Sequence, residues 1–365
     1  ANIDLNAVSD EDLADILRYH VVAGGTIFRT ANIPEGTTAV NTINTEGPNS
    51  DGLAVSVERS GGSVTVNNAN VIVADVDAVN GVIHAIDQVL LPPTLTSTAV
   101  ADGRFTTLVA ALQRTGLDDV LNGNGNFTVF APTDAAFAEA NIDLDNVTDE
   151  DLSALLLYHV VGAGIPAGAI ASGDNFVASL SETGPDDAAL SLLVNQTDGA
   201  VTINGDASVV IADVFTSNGI IHAVDKVLTQ QSIVDFATKA EGLSTLATNL
   251  VDAGLVGTLS DAGPFTVFAP VNSAFEAIEE TVRGLSPEQV TAVLTYHVVS
   301  GVNVRSDAIP AQAATFNGET LVFSGDNNSV IRTGSNQNVT IDAVDIQGTN
   351  GVVHLIGTVL IPENL

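Results

Sequence analysis

Six histidines are the residues of this sequence best equipped for proton transfer or metal binding, and they fall into two sets of three. His20, His159 and His297 each follow a tyrosine and precede two valines, as Tyr-His-Val-Val. His84, His222 and His354 each lie in an apolar run opened by an Asn-Gly pair. An imidazole titrates near neutrality, so two per unit could serve acid–base or metal chemistry. A metal would need further acidic or thiolate ligands at short spacing, and none accompanies either set. The favoured reading is structural. The first set sits on the apolar face of a helix at its C-terminal end, where a neutral ring can donate to a main-chain carbonyl and lock the helix to a sheet. The second set lies inside apolar strands. Asp75, Asp213 and Asp345 stand five residues before the Asn-Gly pairs, and Asp77 joins the first. A calcium loop would need alternating oxygens and a closing glutamate, both missing here, so these aspartates are expected to organise turns. Gly123-Asn124-Gly125 lies between a helix and a strand without the lysine of a phosphate loop, and G-x-S-x-G and H-E-x-x-H do not occur. No catalytic, cofactor or metal site is assigned, and an enzyme is not expected.

The elements that must position these side chains recur along the chain. Residues 1–24 (ANIDLNAVSDEDLADILRYHVVAG) repeat almost continuously at 140–164, and a looser version runs from Gly284 to Gly301. Ser9, Thr148 and Ser286 stand where a helix should start. Ser286 has Pro287 and Gln289 behind it, the pattern of a capping box. Leu13, Ile16, Leu17 and His20 then follow at helical spacing, as do Leu152, Leu155, Leu156 and His159, and Val290, Val293, Leu294 and His297. A closing block repeats at 73–92, 211–228 and 342–362. Its pattern predicts two strands joined at the Asn-Gly pair, the first pair being Val71 to Val76 and Val82 to Val89. An opening block, NFTVFAPTDAAF at 126–137 and PFTVFAPVNSAF at 264–275, predicts a strand from Phe127 to Phe130, a stop at Pro132 and a short helix from Asp134 or Asn272. Helical stretches precede it, with Leu108, Val109 and Leu112 in one copy and Leu243, Leu246 and Leu250 in the other.

Three copies are expected, at 1–93, 94–229 and 230–365. Each mixes segregated helices with a sheet, an α+β domain. The first copy has no counterpart of the opening block. The sequence is therefore expected to be a section of a longer protein, with the missing third upstream or on a neighbouring segment. In the latter case chains would join head to tail by strand addition.

Composition narrows the function. Ten basic residues face 44 acidic ones, a formal net charge of −34. Such a surface repels phosphate backbones, so nucleic acid is not an expected partner. The acids are spread along the whole chain, which suits a marine or halophilic setting where salt screens their repulsion. Cysteine is absent, so disulfides and thiolate metal sites are excluded. Five N-x-S/T triplets, at Asn126, Asn146, Asn195, Asn327 and Asn338, matter only in a eukaryotic secretory host.

The blocks FTVFAPTDAAF, YHVV and NGVIHAIDQVLLP, in this order, resemble the fasciclin (FAS1) domain family. The resemblance covers essentially the whole chain. It implies tandem FAS1 domains, each a wedge-shaped β-sandwich with helices packed around it. It also implies a secreted or surface-anchored protein that mediates adhesion. Partner-binding positions of the family's tyrosine–histidine motif fall on Tyr19, His20, Tyr158, His159, Tyr296 and His297. Integrin binding is not carried over. The aspartate–isoleucine pair of some animal members is not kept ahead of Asn80 or Asn218, and only Asp345-Ile346 matches it by type. The expected function is that of a non-enzymatic extracellular structural or adhesion protein without cofactor. Its expected partners are further copies of itself or cell-surface and matrix components. The alternative is a binding module for an apolar ligand such as a carotenoid or lipid.

Overall fold

The computed structural model describes residues 8–22, 28–45, 52–142, 144, 146–324, 330–333, 335 and 337–363. The chain ends assigned to the outer copies and Asn327 lie outside the described residues. In the first module, helix α1 (Asp10–Tyr19) is followed by β1 (Gly36–Asn41), β2 (Ala54–Ser60), β3 (Ser63–Val66), β4 (Ala69–Ala78) and β5 (Gly81–Ile86). These strands form an antiparallel sheet in chain order.

The second module opens with α2 (Leu95–Asp102), α3 (Thr106–Thr115), α4 (Leu117–Asn122), β6 (Phe127–Pro132) and α5 (Asp134–Ala140). It continues through α6 (Asp149–Tyr158), β7 (Val160–Val161), β8 (Gly173–Ala178), β9 (Ser191–Thr197), β10 (Ala200–Ile203), β11 (Ala207–Thr216) and β12 (Gly219–Val224). The third repeats this plan: α7 (Ile233–Lys239), α8 (Ser244–Asp252), α9 (Val256–Leu259), β13 (Phe265–Pro270), α10 (Asn272–Glu276), α11 (Glu279–Arg283), α12 (Pro287–Tyr296) and β14 (Val298–Ser300). Strands β15 (Gln312–Ala314), β16 (Thr320–Ser324), β17 (Val330–Arg332), β18 (Asn338–Gly348) and β19 (Gly351–Ile356) complete it. The strand orders are β7-β6-β12-β11-β10-β9-β8 and β14-β13-β19-β18-β17-β16-β15.

The helix caps follow from the sequence. The hydroxyls of Ser9, Thr148 and Ser286 accept the N–H groups of Asp12, Asp151 and Gln289, and Ser286 with Gln289 closes the capping box. Asp10, Glu11 and Asp12 oppose the positive helix end, as do Asp149, Glu150 and Asp151.

Strand β11 creates the wedge. Its first residues pair with β10 and the remainder with β12, so the ribbon turns from one half-sheet into the other. The halves enclose Phe130, Tyr158, Leu192, Ile203 and Val224. The outer face of β6 and β12 carries Val129, Ala131 and Ile221, which pack on Leu108, Leu112 and Leu156 of the helices. Each fully buried large side chain of this kind stabilises by about 2 kcal/mol. The alternation along β6 therefore places Phe130 in the sandwich and its neighbours under the helices. The first module retains the sandwich core, with Tyr19, Val40, Leu53, Val55 and Leu90.

The second strand of the closing block is shorter than the expected Val82 to Val89. β5 ends at Ile86, and the chain then leaves the sheet so that the Leu90 N–H can reach His20. Strand β4 extends beyond Val71–Val76 at both ends.

The second and third modules meet directly. Phe176 sits edge-on to Phe236 with centroids 5.7 Å apart, and the Gly242 N–H donates to Asp174 at 2.8 Å. The Gln347 N–H donates to the Ser191 hydroxyl at 2.9 Å in a buried contact.

With ten cations available to 44 acids, most carboxylates have no ion-pair partner, and folding concentrates their repulsion. The thermal midpoint should rise by several degrees as sodium chloride goes from about 10 mM to about 1 M, because the screening length falls from about 30 Å to about 3 Å. Calorimetry showing a flat or falling midpoint would contradict this account.

Candidate functional site

Each imidazole uses both ring nitrogens on the main chain. His159 Nδ1 donates to Leu155 O at 2.8 Å, and its Nε2 accepts the Leu228 N–H at 2.8 Å. His297 makes the same pair with Val293 O (2.8 Å) and the Leu360 N–H (2.9 Å). His20 does so with Ile16 O (2.7 Å) and the Leu90 N–H (2.9 Å). The ring thus binds the last helical turn to the segment leaving the final strand, rather than to the sheet itself as expected. Burial pushes His159 and His297 down to about 4. Protonation would set an N–H against the N–H it now accepts, so the neutral tautomer is obligatory.

The second set clasps a strand to a loop. His222 Nε2 donates to Ile165 O at 2.9 Å, and Nδ1 accepts the Asp213 N–H at 3.2 Å. His354 reaches Val304 O at 2.8 Å and the Asp345 N–H at 3.3 Å. His84 reaches Phe28 O at 2.7 Å and the Asp75 N–H at 3.4 Å. His222 and His354 stack on Phe130 and Phe268, and burial lowers the proton affinity of both.

The three aspartates hold positive φ angles of 57°, 59° and 60° in the bulged strands β4, β11 and β18. Aspartate tolerates this left-handed conformation better than most side chains. From the bulge, Asp213 accepts the Ala167 N–H at 2.8 Å. Asp345 accepts from Ser306 N–H and hydroxyl at 2.8 and 2.5 Å, and Asp75 from Thr30 N–H and hydroxyl at 3.0 and 2.5 Å. Thr30 holds the Asp75 carboxyl below its usual range. These carboxylates therefore organise a loop from the middle of a strand, not from the adjoining turn. Asp77 stands apart, paired with Arg29.

Tyr19, Tyr158 and Tyr296 are buried, as are His159 and His297, whereas His20 is exposed. The Tyr158 hydroxyl donates to Ser191 O at 2.9 Å and accepts from Asn204 at 3.0 Å. Tyr19 does the same with Ala54 O and Asn67. Burial raises the pKa values of Tyr19 and Tyr158.

The buried asparagines were missed from sequence. Asn204 also accepts the Leu193 N–H at 3.0 Å. Asn218 accepts the Leu95 N–H at 3.0 Å and donates to Leu121 O and Gly123 O at 2.7 and 3.0 Å. Asn350 binds Ile233, Leu259 and Asp261 in the same way. An Asn-Gly pair reads locally as a turn, so only its recurrence hinted at more.

Among the described residues, no group of three or more His, Cys, Asp or Glu could hold a metal, and no helix is long and apolar enough to cross a membrane. The helix–sheet core of the third module leaves an apolar cavity of about 10 Å³ beside Leu246, Leu250 and Val267. That is room for about one water.

The Fasciclin domain model matches residues 2–92, 103–230 and 241–362, and the chain belongs to the fasciclin family. It is 29% identical over 362 residues to transforming growth factor-beta-induced protein ig-h3 of Sus scrofa, covering 96% of this chain and 49% of that protein. It is 29% identical over 314 residues to periostin of Homo sapiens, covering 82% of this chain and 35% of that protein. Protein sll1483 of Synechocystis is 36% identical over 145 residues, covering 38% of this chain and 77% of that protein. The chain thus spans half or less of the first two relatives. A solved FAS1 domain pair from the insect cell adhesion molecule Fasciclin I is 18% identical, with a TM-score of 0.49 over 72% of this chain and 98% of that one.

Two outcomes test the clasps. Asp213→Ala loses both the carboxylate and the tolerance for positive φ, and should destabilise the second module by about 2–3 kcal/mol in urea titration. A loss below about 0.5 kcal/mol would refute the role. The depressed pKa values of His159 and His297 mean that their unfolded states bind protons first. Their contribution is complete above about pH 6.5 and falls away as pH drops toward about 4, at about 1.4 kcal/mol per pH unit for each ring. Partial neutralisation of surface carboxylates opposes this trend in bulk stability, so NMR of the rings is the direct readout. Both should hold the neutral-ring shifts from pH 8 to 5, and titration near 6.5 would contradict the assignment.

Proposed function

We propose that this chain is a non-enzymatic structural or adhesive protein of the cell surface or extracellular space, with three fasciclin modules at 1–93, 94–229 and 230–365 as an array of contact surfaces. One observation carries the reading: the six imidazoles, its best candidates for chemistry, are all spent on main-chain groups. What remains for function is repeated surface, and repetition converts weak contacts into firm attachment. The seams are supported by the hydrogen bonds from Leu95 to Asn218 and from Ile233 to Asn350, which tie each leading helix to the closing block of its own module.

Matrix components, cell-surface components or further copies of the chain joined head to tail are the partners this reading implies. Tyr158-His159 and Tyr296-His297 contribute to partner binding by fixing the frame around them, whereas His20 of the Tyr19-His20 pair is accessible for direct contact. The acidic surface suits a saline medium. The apolar-ligand alternative draws no support from a cavity of about 10 Å³.

Beads coated with the protein should be retained on cells and matrix of the source organism about 100-fold more strongly than the same chain presented singly. Retention no greater than that of beads carrying an unrelated, equally acidic protein would overturn the adhesion reading. Solvent extraction of the purified native protein should give a colourless, lipid-free extract by visible spectroscopy and mass spectrometry. A stoichiometric pigment or lipid would favour the alternative.

A further inference from the structure

Strand β9 is buried on both faces along most of its length. Its residues Leu192 and Val194 enter the sandwich core of the second module. Leu193, between them, turns the other way. It is 1% exposed and belongs to the helix–sheet core of the third module, with Phe236, Val267 and Ile346. Its register partner on β8, Phe176, packs against the same core and sits edge-on to Phe236. A strand serving its own sandwich alone would alternate buried and exposed residues. Polar contacts hold this apolar pair in place. Asp174 accepts the Gly242 N–H at 2.8 Å and the Asn195 amide at 2.9 Å, and the Ser191 hydroxyl accepts the Gln347 N–H.

Strand β2 is the counterpart of β9, since Tyr19 donates to Ala54 O as Tyr158 donates to Ser191 O. It does alternate: Val55 and Val57 are buried, whereas Ala54, Ser56 and Glu58 are exposed. The pair matching Phe176 and Leu193 is Ala39 and Ser56, joined in the same register and both exposed. Across that seam, Thr98 stands where the third module has Phe236. The contrast between the two seams thus lies in the residues that flank each of them. Among the described residues, the helix–sheet core of the second module draws no side chain from the first. Relative motion is the ordinary behaviour of linked domains, and a shared apolar core removes that freedom.

We propose that the second and third modules form one cooperative folding unit, in which Phe176 and Leu193 of the second complete the core of the third, and that the first module lies outside this unit. The contact surfaces of the coupled pair keep a fixed spacing and orientation. This coupling holds whatever the pair binds, so it stands apart from the adhesion reading.

The test follows amide exchange of the full 365-residue chain through a urea titration. Protection of 219–224 in the second module and of 265–269 in the third should be lost at one common midpoint. Leu193→Ser combined with Phe176→Ala installs the residue types of the first module. It should split that midpoint in two and speed exchange of 265–269 about tenfold or more, although both changes lie in the second module. The milder Leu193→Ala should act in the same direction, and it leaves the sandwich residues Leu192 and Val194 of the second module in place. Val55→Ala, in the core of the first module, should leave the common midpoint unmoved. Separate midpoints for 219–224 and 265–269 in the wild-type chain would overturn the proposal. So would unchanged exchange of 265–269 in Leu193→Ala, or a shift of the common midpoint by Val55→Ala.

Discussion

A neutral imidazole with one nitrogen donating and the other accepting is the interaction on which these modules depend. A helix ending at Tyr158 leaves carbonyls without helical partners, and a strand ending at Val224 is followed by a segment whose N–H groups have no ladder. His159 answers both at once, through Leu155 O and the Leu228 N–H. His222 performs the complementary task at the bulge, where β11 gives up a ladder position and Asp213 turns into the left-handed region. The bulge lies within the β11–β12 pairing, just past Ser208 and Val209 where the ribbon changes from one half-sheet to the other, so this arm of the wedge rests on groups that must stay uncharged inside an otherwise highly charged protein.

This use of histidine has a functional consequence. A ring able to bind a metal or move a proton needs a free lone pair or a reachable proton, and these rings have neither to spare. The aspartates nearest them are likewise spent, on the N–H groups of Thr30, Ala167 and Ser306. These histidines and aspartates inside each module therefore serve cohesion.

The modules also differ in ways that repetition conceals. Between the second and third, Ser191 meets Gln347 and Phe176 meets Phe236. The corresponding positions toward the first module are Ala54 with Phe215 and Ala39 with Thr98, which cannot form the same hydroxyl contact or aromatic pair. The first module has a sandwich core of Tyr19, Val40, Leu53, Val55 and Leu90, while Leu17 and Ile83 are exposed among its described residues. Similar sequences therefore present different surfaces, because a side chain's burial depends on what packs over it.

The sequence alone determined the modular plan, the helix caps at Ser9, Thr148 and Ser286, the helical rows ending at the histidines and the strands around the Asn-Gly pairs. These are legible because capping and periodicity act over three to seven residues. It also indicated that the histidines were structural. Only the tertiary structure decided that Asp213 works from a bulge, that β5 ends at Ile86, and that Asn218 reaches back to Leu95 across the module. Those features depend on pairs of groups far apart in the chain, whose hydrogen bonds exist only once β6 lies beside β12 and the helices close over them.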